Sequence, residues 1–265
     1  MSTDGEYITK RLMPDIIEQI CRDDGITLKR FSDDWVLQLK RDDTFHWIVG
    51  YTFSLNNASS TEIANDKVAT YQAIAAANQP VIEHYLARSR ASQNVLTQNL
   101  AGIPAGLPVV AKPLQGASGH GIHLFPNIQD ACDFLTVQFH TDWALSPWYE
   151  IVGETRFILC DQQVLCCYDK HGVARDDGLM FYNLSKGAHA IEVEPDPTKQ
   201  QIALDAARIL GLRLAAVDIV TLADGSLRIL EVNAGFMMEN FIRQSDEYKN
   251  RAIEIYRAII ARMFE

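Results

Sequence analysis

Mixed α and β structure, of the α+β or α/β class, is predicted by three features of the sequence. Apolar residues change between strict alternation and helical spacing several times along the chain. No internal repeat or low-complexity tract interrupts that pattern. With 265 residues, 48% of them apolar, the chain can bury a full core in one large domain or two small ones.

The elements follow in order. Leu12, Ile16, Ile17 and Ile20 share a helical face that stops near Gly25, and residues 35–39 and 46–52 read as strands around an Arg41-Asp42-Asp43 turn. Ser59-Ser60-Thr61-Glu62 reads as a capping box, with Ser59 as N-cap and Glu62 at N3, opening a helix to about residue 77 that contains Lys67. Residues 88–106 predict a helix and loop before an apolar strand over 108–111. Asn127 with Asp130 caps a helix through about residue 139, and strands follow at 149–152, 155–160 and 163–168. A helix over 198–210 ends at Gly211, and Asp224-Gly225 joins strands 216–222 and 227–232. Ile253, Tyr256, Ile260 and Met263 then form the buried stripe of a helix over 248–264.

Lys and Arg number 24 against 34 Asp and Glu, and the formal charge of −10 argues against a nucleic-acid surface or a polybasic membrane anchor. An anionic ligand must find its cations locally. The polar, acidic start MSTDGEYITK and the lack of any membrane-length apolar run predict a soluble cytoplasmic protein. None of the five cysteines lies at C-x-x-C spacing, so they read as small core residues.

Two segments carry chemistry. VVAKPLQGASGHGI places Lys112 at the end of a strand, followed by Gly116, Gly119 and Gly121. The G-x-x-G-x-G spacing is neither the dinucleotide fingerprint nor the Walker loop. A flexible lid over phosphates and a plain glycine hairpin both fit, and Lys112 favours the lid. Ser118 lacks a nucleophile-elbow context, and His120 with His123 reads as loop rather than zinc site. In AAVDIVTLADGSLRILEVNAG, a two-residue Asp224-Gly225 loop sets Ala223 opposite Ser226 and so Asp218 opposite Glu231, with Asn233 on the same face. Opposed like charges imply a shared proton or a cation, and oxygen-only ligands point to magnesium. The alternative is a carboxylate neutralised by a nearby Lys or Arg, and a longer turn would shift the register.

Taken in order, IANDK, VVAKP with its glycine segment, YEI followed by GETR, NLSKGA, and VDI with EVNAG resemble the ATP-grasp superfamily over residues 56–243. Within it the chain looks most similar to the carboxylate–amine ligases around the ribosomal-protein glutamate ligases, glutathione synthetases and the ligase part of cyanophycin synthetase. The resemblance implies an α+β ATP-grasp fold in which two α+β subdomains clamp ATP behind a short N-terminal α/β unit. The implied division is an N-terminal unit over 1–57, a lid subdomain with the glycine loop over 58–147 and a C-terminal subdomain with the metal site over 148–265.

By the same resemblance Lys67 and Lys112 reach the ATP phosphates beneath a lid containing Gly116, Ser118, Gly119 and Gly121. The backbone of Tyr149, Glu150 and Ile151 holds adenine, and Glu154 binds the ribose. Asp218, Glu231 and Asn233 hold Mg2+, while Arg156, Lys170, Asn183 and Lys186 surround the transferred phosphate and the acceptor carboxylate. Lys186 stands where glutamate ligases often have arginine, so a point charge replaces a bidentate fork. The implied activity is formation of an amide from a small carboxylic acid or amino acid and an amine, through an acyl phosphate, with release of ADP and phosphate. A non-catalytic nucleotide-binding module and a ligase that modifies a protein tail are the rival readings. Nucleic acid and membrane are not expected as partners; the oligomeric state is left open, a homodimer included.

Overall fold

A computed structural model of the chain describes residues 11–116, 121–138, 140–174 and 180–265. The first apolar stripe forms α1 (Met13–Asp23), which buries Met13, Ile16, Ile17 and Ile20. An antiparallel sheet follows, ordered β1 (Thr27–Phe31), β2 (Val36–Arg41), β3 (Thr44–Val49), β4 (Thr52–Phe53). Alternation aims Leu37, Leu39 and Ile48 inward. β1 carries Lys29 and Arg30 and shows no apolar alternation, which is why only β2 and β3 were expected.

The capped helix differs from its reading. Asn57 is the cap, its Oδ1 accepting the Ser60 N–H at 2.8 Å, so α2 (Ala58–Asn65) starts before Ser59. Asp66 then breaks the helix, because its carboxylate accepts the N–H groups of Val68 and Ala69 at 2.9 Å and caps a second helix, α3 (Lys67–Ala76). Lys67 therefore opens a helix instead of lying within one.

The next unit is the sheet β5 (Tyr85–Ala87), β6 (Val109–Pro113), β7 (His123–Phe125) and β8 (Trp143–Pro147), in the order β5-β8-β6-β7. Two helices, α4 (Gln93–Asn99) and α5 (Ile128–Thr136), cover it, and Leu96, Leu100, Val109, Ala111, Leu135 and Leu145 form their common core. Asn127 caps α5 as expected, accepting the Asp130 N–H at 3.0 Å.

The remaining chain builds a five-stranded antiparallel sheet. Its strands are β9 (Ile151–Cys160), β10 (Gln163–His171) and, after a short ribbon of β11 (Val173–Ala174) and β12 (Met180–Phe181), β13 (His189–Glu192). Then come α6 (Pro197–Ile209), β14 (Leu214–Leu222), β15 (Leu227–Asn233), α7 (Glu239–Ile242) and α8 (Asp246–Met263), with sheet order β13-β10-β9-β14-β15.

Both faces of this sheet are covered. One carries Phe157, Leu159, Ala215, Val217 and Ile219 against α6 and against Ala64 and Ile74 of α2 and α3. The other carries Ile158, Cys160, Leu214 and Ala216 against α1, α8 and the first sheet in one continuous core. Val68 of α3 also meets Leu114 and Ala144, so the helices of 58–76 touch the five-stranded sheet as well as the glycine-segment unit. All five cysteines are free and buried. Among the described residues no helix is long and apolar enough to cross a membrane.

Candidate active site

The site grows from strand register. Asp218 pairs with Glu231, and Ala216 with Asn233, as expected, but by a different route. Leu222 receives no two-residue turn: its N–H donates to the Ser226 carbonyl, leaving Ala223, Asp224 and Gly225 as a three-residue loop. Nearer the turn the pairs are Thr221 with Leu227 and Ile219 with Ile229, one residue out of the anticipated register. An extra residue at Leu230 restores it. Such a bulge rotates a side chain out of alternation, and here consecutive Leu230 and Glu231 both line one cavity.

Along the face that carries Ile158 and Ala216, apolar residues give way to charge two positions further on. A cross-strand row runs Tyr168, Arg156, Asp218, Glu231, and Lys170 pairs with Glu154 beside it. Arg156 donates to both oxygens of Asp218, at 2.7 and 2.5 Å. Lys170 Nζ lies 3.0 Å from Asp218 Oδ1 and also donates to Glu154 Oε1. Burial alone would push the Asp218 carboxyl up; Arg156 and Lys170 outweigh it and hold it well below the usual carboxylate range. Burial prevails at Glu154, whose carboxyl is raised against the pull of Lys170. The neutralised-carboxylate alternative is therefore realised at Asp218, and repulsion between Asp218 and Glu231 no longer demands a cation by itself.

This cluster forms one wall of a cavity of about 410 Å³. Lys67 and Lys112 also line it, with Gly116 at the root of the glycine segment. Lys67 Nζ donates to the Gly116 carbonyl at 2.9 Å, joining the start of α3 to that segment. Burial lowers the affinity of both lysines for a proton, while the Glu231 carboxylate opposes the shift; Lys67 further lowers Lys112. Gly121 sits at φ +68°, and a side chain there would meet Pro113 at 2.9 Å. Gly235, at the exit of β15, lets Thr52 approach where a Cβ would lie 2.4 Å from its hydroxyl, and so seats the N-terminal unit against the site.

Lys67, Lys112, Gly116, Glu154, Arg156, Lys170, Asn183, Asp218, Glu231 and Asn233 thus share one cavity. Gly121, Lys186 and the hinge residues Tyr149, Glu150 and Ile151 are not among its lining; Ser118 and Gly119 lie outside the described residues. Tyr149 turns to Glu83, donating to its carboxylate at 2.8 Å. The Glu150 carbonyl accepts from Ala223 N–H, and that of Ile151 from the Tyr182 hydroxyl. Among the described residues no three His, Cys, Asp or Glu side chains gather into a metal cage, so the candidate cation set is two carboxylates and one amide.

Sequence reasoning missed Tyr51, His84, Leu230, Met237 and Asn240, all on the cavity wall. His84 is 3% exposed; its Nδ1 is 3.0 Å from the Ile82 carbonyl oxygen, and its buried Nε2 has no hydrogen-bond partner among the described residues. No local spacing marks it.

Residues 64–259 match the RimK-like ATP-grasp domain. A probable alpha-L-glutamate ligase of Legionella pneumophila (strain Corby) is 26% identical over 186 residues, covering 69% of this chain and 59% of the relative. One from Alkalilimnicola ehrlichii is 29% identical over 143 residues, 52% of this chain and 46% of its own. The chain thus spans about three-fifths or less of the length of these relatives. Among solved structures, the D-cycloserine synthetase DcsG superposes with a TM-score of 0.57 at 22% identity, covering 73% of this chain and 70% of its own. A bifunctional glutathione synthetase from Pasteurella multocida gives 0.57 at 17%, with 88% and 42% covered. These likenesses establish the ATP-grasp fold.

Proposed function

The chain belongs to the RimK-like ATP-grasp domain family, and from that premise we propose that it is an ATP-dependent carboxylate–amine ligase acting through an acyl phosphate. The observation that carries the reading is one cavity lined by two half-buried lysines together with two carboxylates and an amide. Its volume, about 410 Å³, falls within the usual range for small-molecule sites.

In this reading the lid subdomain of 58–147 and the C-terminal subdomain of 148–265 clamp ATP, and the N-terminal unit of 1–57 contributes Tyr51. Lys67 and Lys112 screen the phosphate oxygens, and the glycine segment with Ser118 and Gly119 closes over them. The hinge backbone at Tyr149, Glu150 and Ile151 faces the base, and Glu154 the ribose. Asp218, Glu231 and Asn233 suit a hard cation: all three offer oxygen, and although Asp218 Oδ1 is engaged by both Arg156 and Lys170, Oδ2 keeps a second lone pair beside its bond to Arg156. Magnesium held there would neutralise phosphate charge. Arg156 and Lys170 fix the Asp218 carboxylate, Asn183 on the cavity wall orients the acceptor, and Lys186, outside the lining, acts on it only as a nearby charge.

A carboxylate oxygen of the substrate attacks the γ-phosphorus and ADP leaves. The amine nitrogen then attacks the acyl carbon, phosphate departs, the nitrogen gives up a proton, and an amide remains. The relatives named as glutamate ligases favour an amino acid as one substrate. Five buried free thiols agree with a reducing, cytoplasmic setting.

A phosphate-release screen with ATP and magnesium across amino acids and small carboxylic acids, with products identified by mass, tests the reading. Release that depends on a carboxylate and amine pair, with the mass of their amide, is expected. Failure of every pair to raise phosphate release above that of ATP alone would overturn it.

A further inference from the structure

Among the described residues that line the cavity, His84 alone has a buried side-chain nitrogen or oxygen without a hydrogen-bond partner. A backbone carbonyl can only accept, so the 3.0 Å contact with Ile82 fixes the proton on Nδ1. Nε2 then presents a lone pair. It is buried on the cavity wall without a partner among the described residues, and an orphaned buried acceptor is costly unless a ligand supplies the donor.

The fold says which part of a ligand it meets. Lys112 pairs with Ala144, and Ala144 with Leu86. Continuing the alternation, His84, two residues before Leu86, lies on the same sheet face as Lys112. Ile82 joins Val220 and Leu222 in a small core against which Tyr149, Ile151 and Leu230 pack, and the ammonium groups of Lys112 and Lys67 act on the imidazole, so His84 lies between the lysine pair and the hinge.

We propose that His84 reads the purine: its Nε2 accepts a hydrogen bond from the exocyclic 6-amino group of ATP and thereby rejects a 6-oxo purine. The proposal rests on the ATP-binding reading and deepens it. Two features make the selection firm. Shifting the proton to Nε2, to suit an oxo group, would forfeit the Ile82 bond and set two acceptors against each other. Protonating the ring would also serve an oxo group, but burial and the Lys112 ammonium push the imidazole down to about 3, so it stays neutral.

Calorimetric titration with ATP and with inosine triphosphate, which carries oxygen for the 6-amino group and a proton on N1, provides the test, read as the change in their ratio when His84 is replaced. The wild-type chain should bind ATP at least about tenfold more tightly, as expected for a buried acceptor left facing another acceptor. In His84→Gln the amide can turn either its oxygen or its NH2 to the base, so the ratio should fall to near one with ATP affinity largely retained. His84→Leu should also bring the ratio near one, with weaker ATP binding. A wild-type ratio near one, or a ratio unchanged in the glutamine variant, overturns the proposal. Equal weakening of both nucleotides with the ratio preserved does so too, and assigns His84 to holding Lys112 instead. Should the leucine variant not fold, the glutamine variant decides. Failure of the wild type to bind either nucleotide would instead overturn the ATP reading on which the proposal stands.

Discussion

Lys170→Met removes the cation shared by two buried carboxylates. In the native cluster two negative groups, Glu154 and Asp218, are matched by two positive ones, Arg156 and Lys170, so the box is neutral. The substitution leaves Asp218 its bidentate Arg156 but strips Glu154 of its partner. Breaking a buried pair from one side costs about 3–5 kcal/mol, and for a chain of this size roughly 2–4 °C accompanies each kcal/mol, so the melting temperature should drop by about 6–20 °C near pH 8.

The loss must depend on pH. Glu154 is already raised by burial, and without Lys170 it rises further. A carboxyl raised in the folded state binds its proton more tightly there than in the unfolded chain, so stability falls as pH climbs from the ordinary carboxylate value through the raised one. The limiting slope is about 1.4 kcal/mol per pH unit. The gap between wild type and variant should therefore narrow from pH 8 to pH 5. Melts by fluorimetry at half-unit intervals check this. A drop under about 3 °C at pH 8, or a gap indifferent to pH, would refute the account of the cluster.

Three further outcomes are expected. Lys112→Ala should weaken ATP binding by about tenfold or more with no acceptor present, since it removes a charge-assisted phosphate contact; unchanged affinity by calorimetry would return Lys112 to a structural role. Glu231→Gln keeps shape but removes an anionic oxygen, so magnesium-dependent turnover should fall by roughly 100-fold, about 2.7 kcal/mol, and an unaltered magnesium titration would refute the cation assignment. Asn57→Ala should lose about 1 kcal/mol through the missing cap on α2, read as a lowered melting temperature with ATP affinity intact.

The elements with period or punctuation were legible in the sequence: α1, β2, β3, α6, α8 and the Asn127 cap of α5. Those lacking either were not. β8 is buried on both faces and ends in Pro147, so it shows no alternation. The split at Asp66 depends on a side chain competing with the backbone, which a capping-box pattern four residues upstream does not reveal. The pairing of Asp218 with Glu231 was legible only because two departures cancel, a turn one residue longer and a bulge at Leu230. His84 was invisible because its meaning comes from a carbonyl in its own loop, a lysine two strands away and a cavity wall, none of which leaves a spacing in the chain.

The continuous core beneath the first sheet also has a consequence for synthesis. α1 ends at Asp23 and the helix that covers it begins at Asp246, so at about 5–20 residues per second the ribosome takes on the order of 11–45 s to deliver the cover. Throughout that interval the part of the Ile16, Ile17 and Ile20 face that α8 covers has only the first sheet beside it. The N-terminal unit is thus made well before the helix that closes its core, and synthesis of α8, rather than emergence of the unit, sets when that core can close.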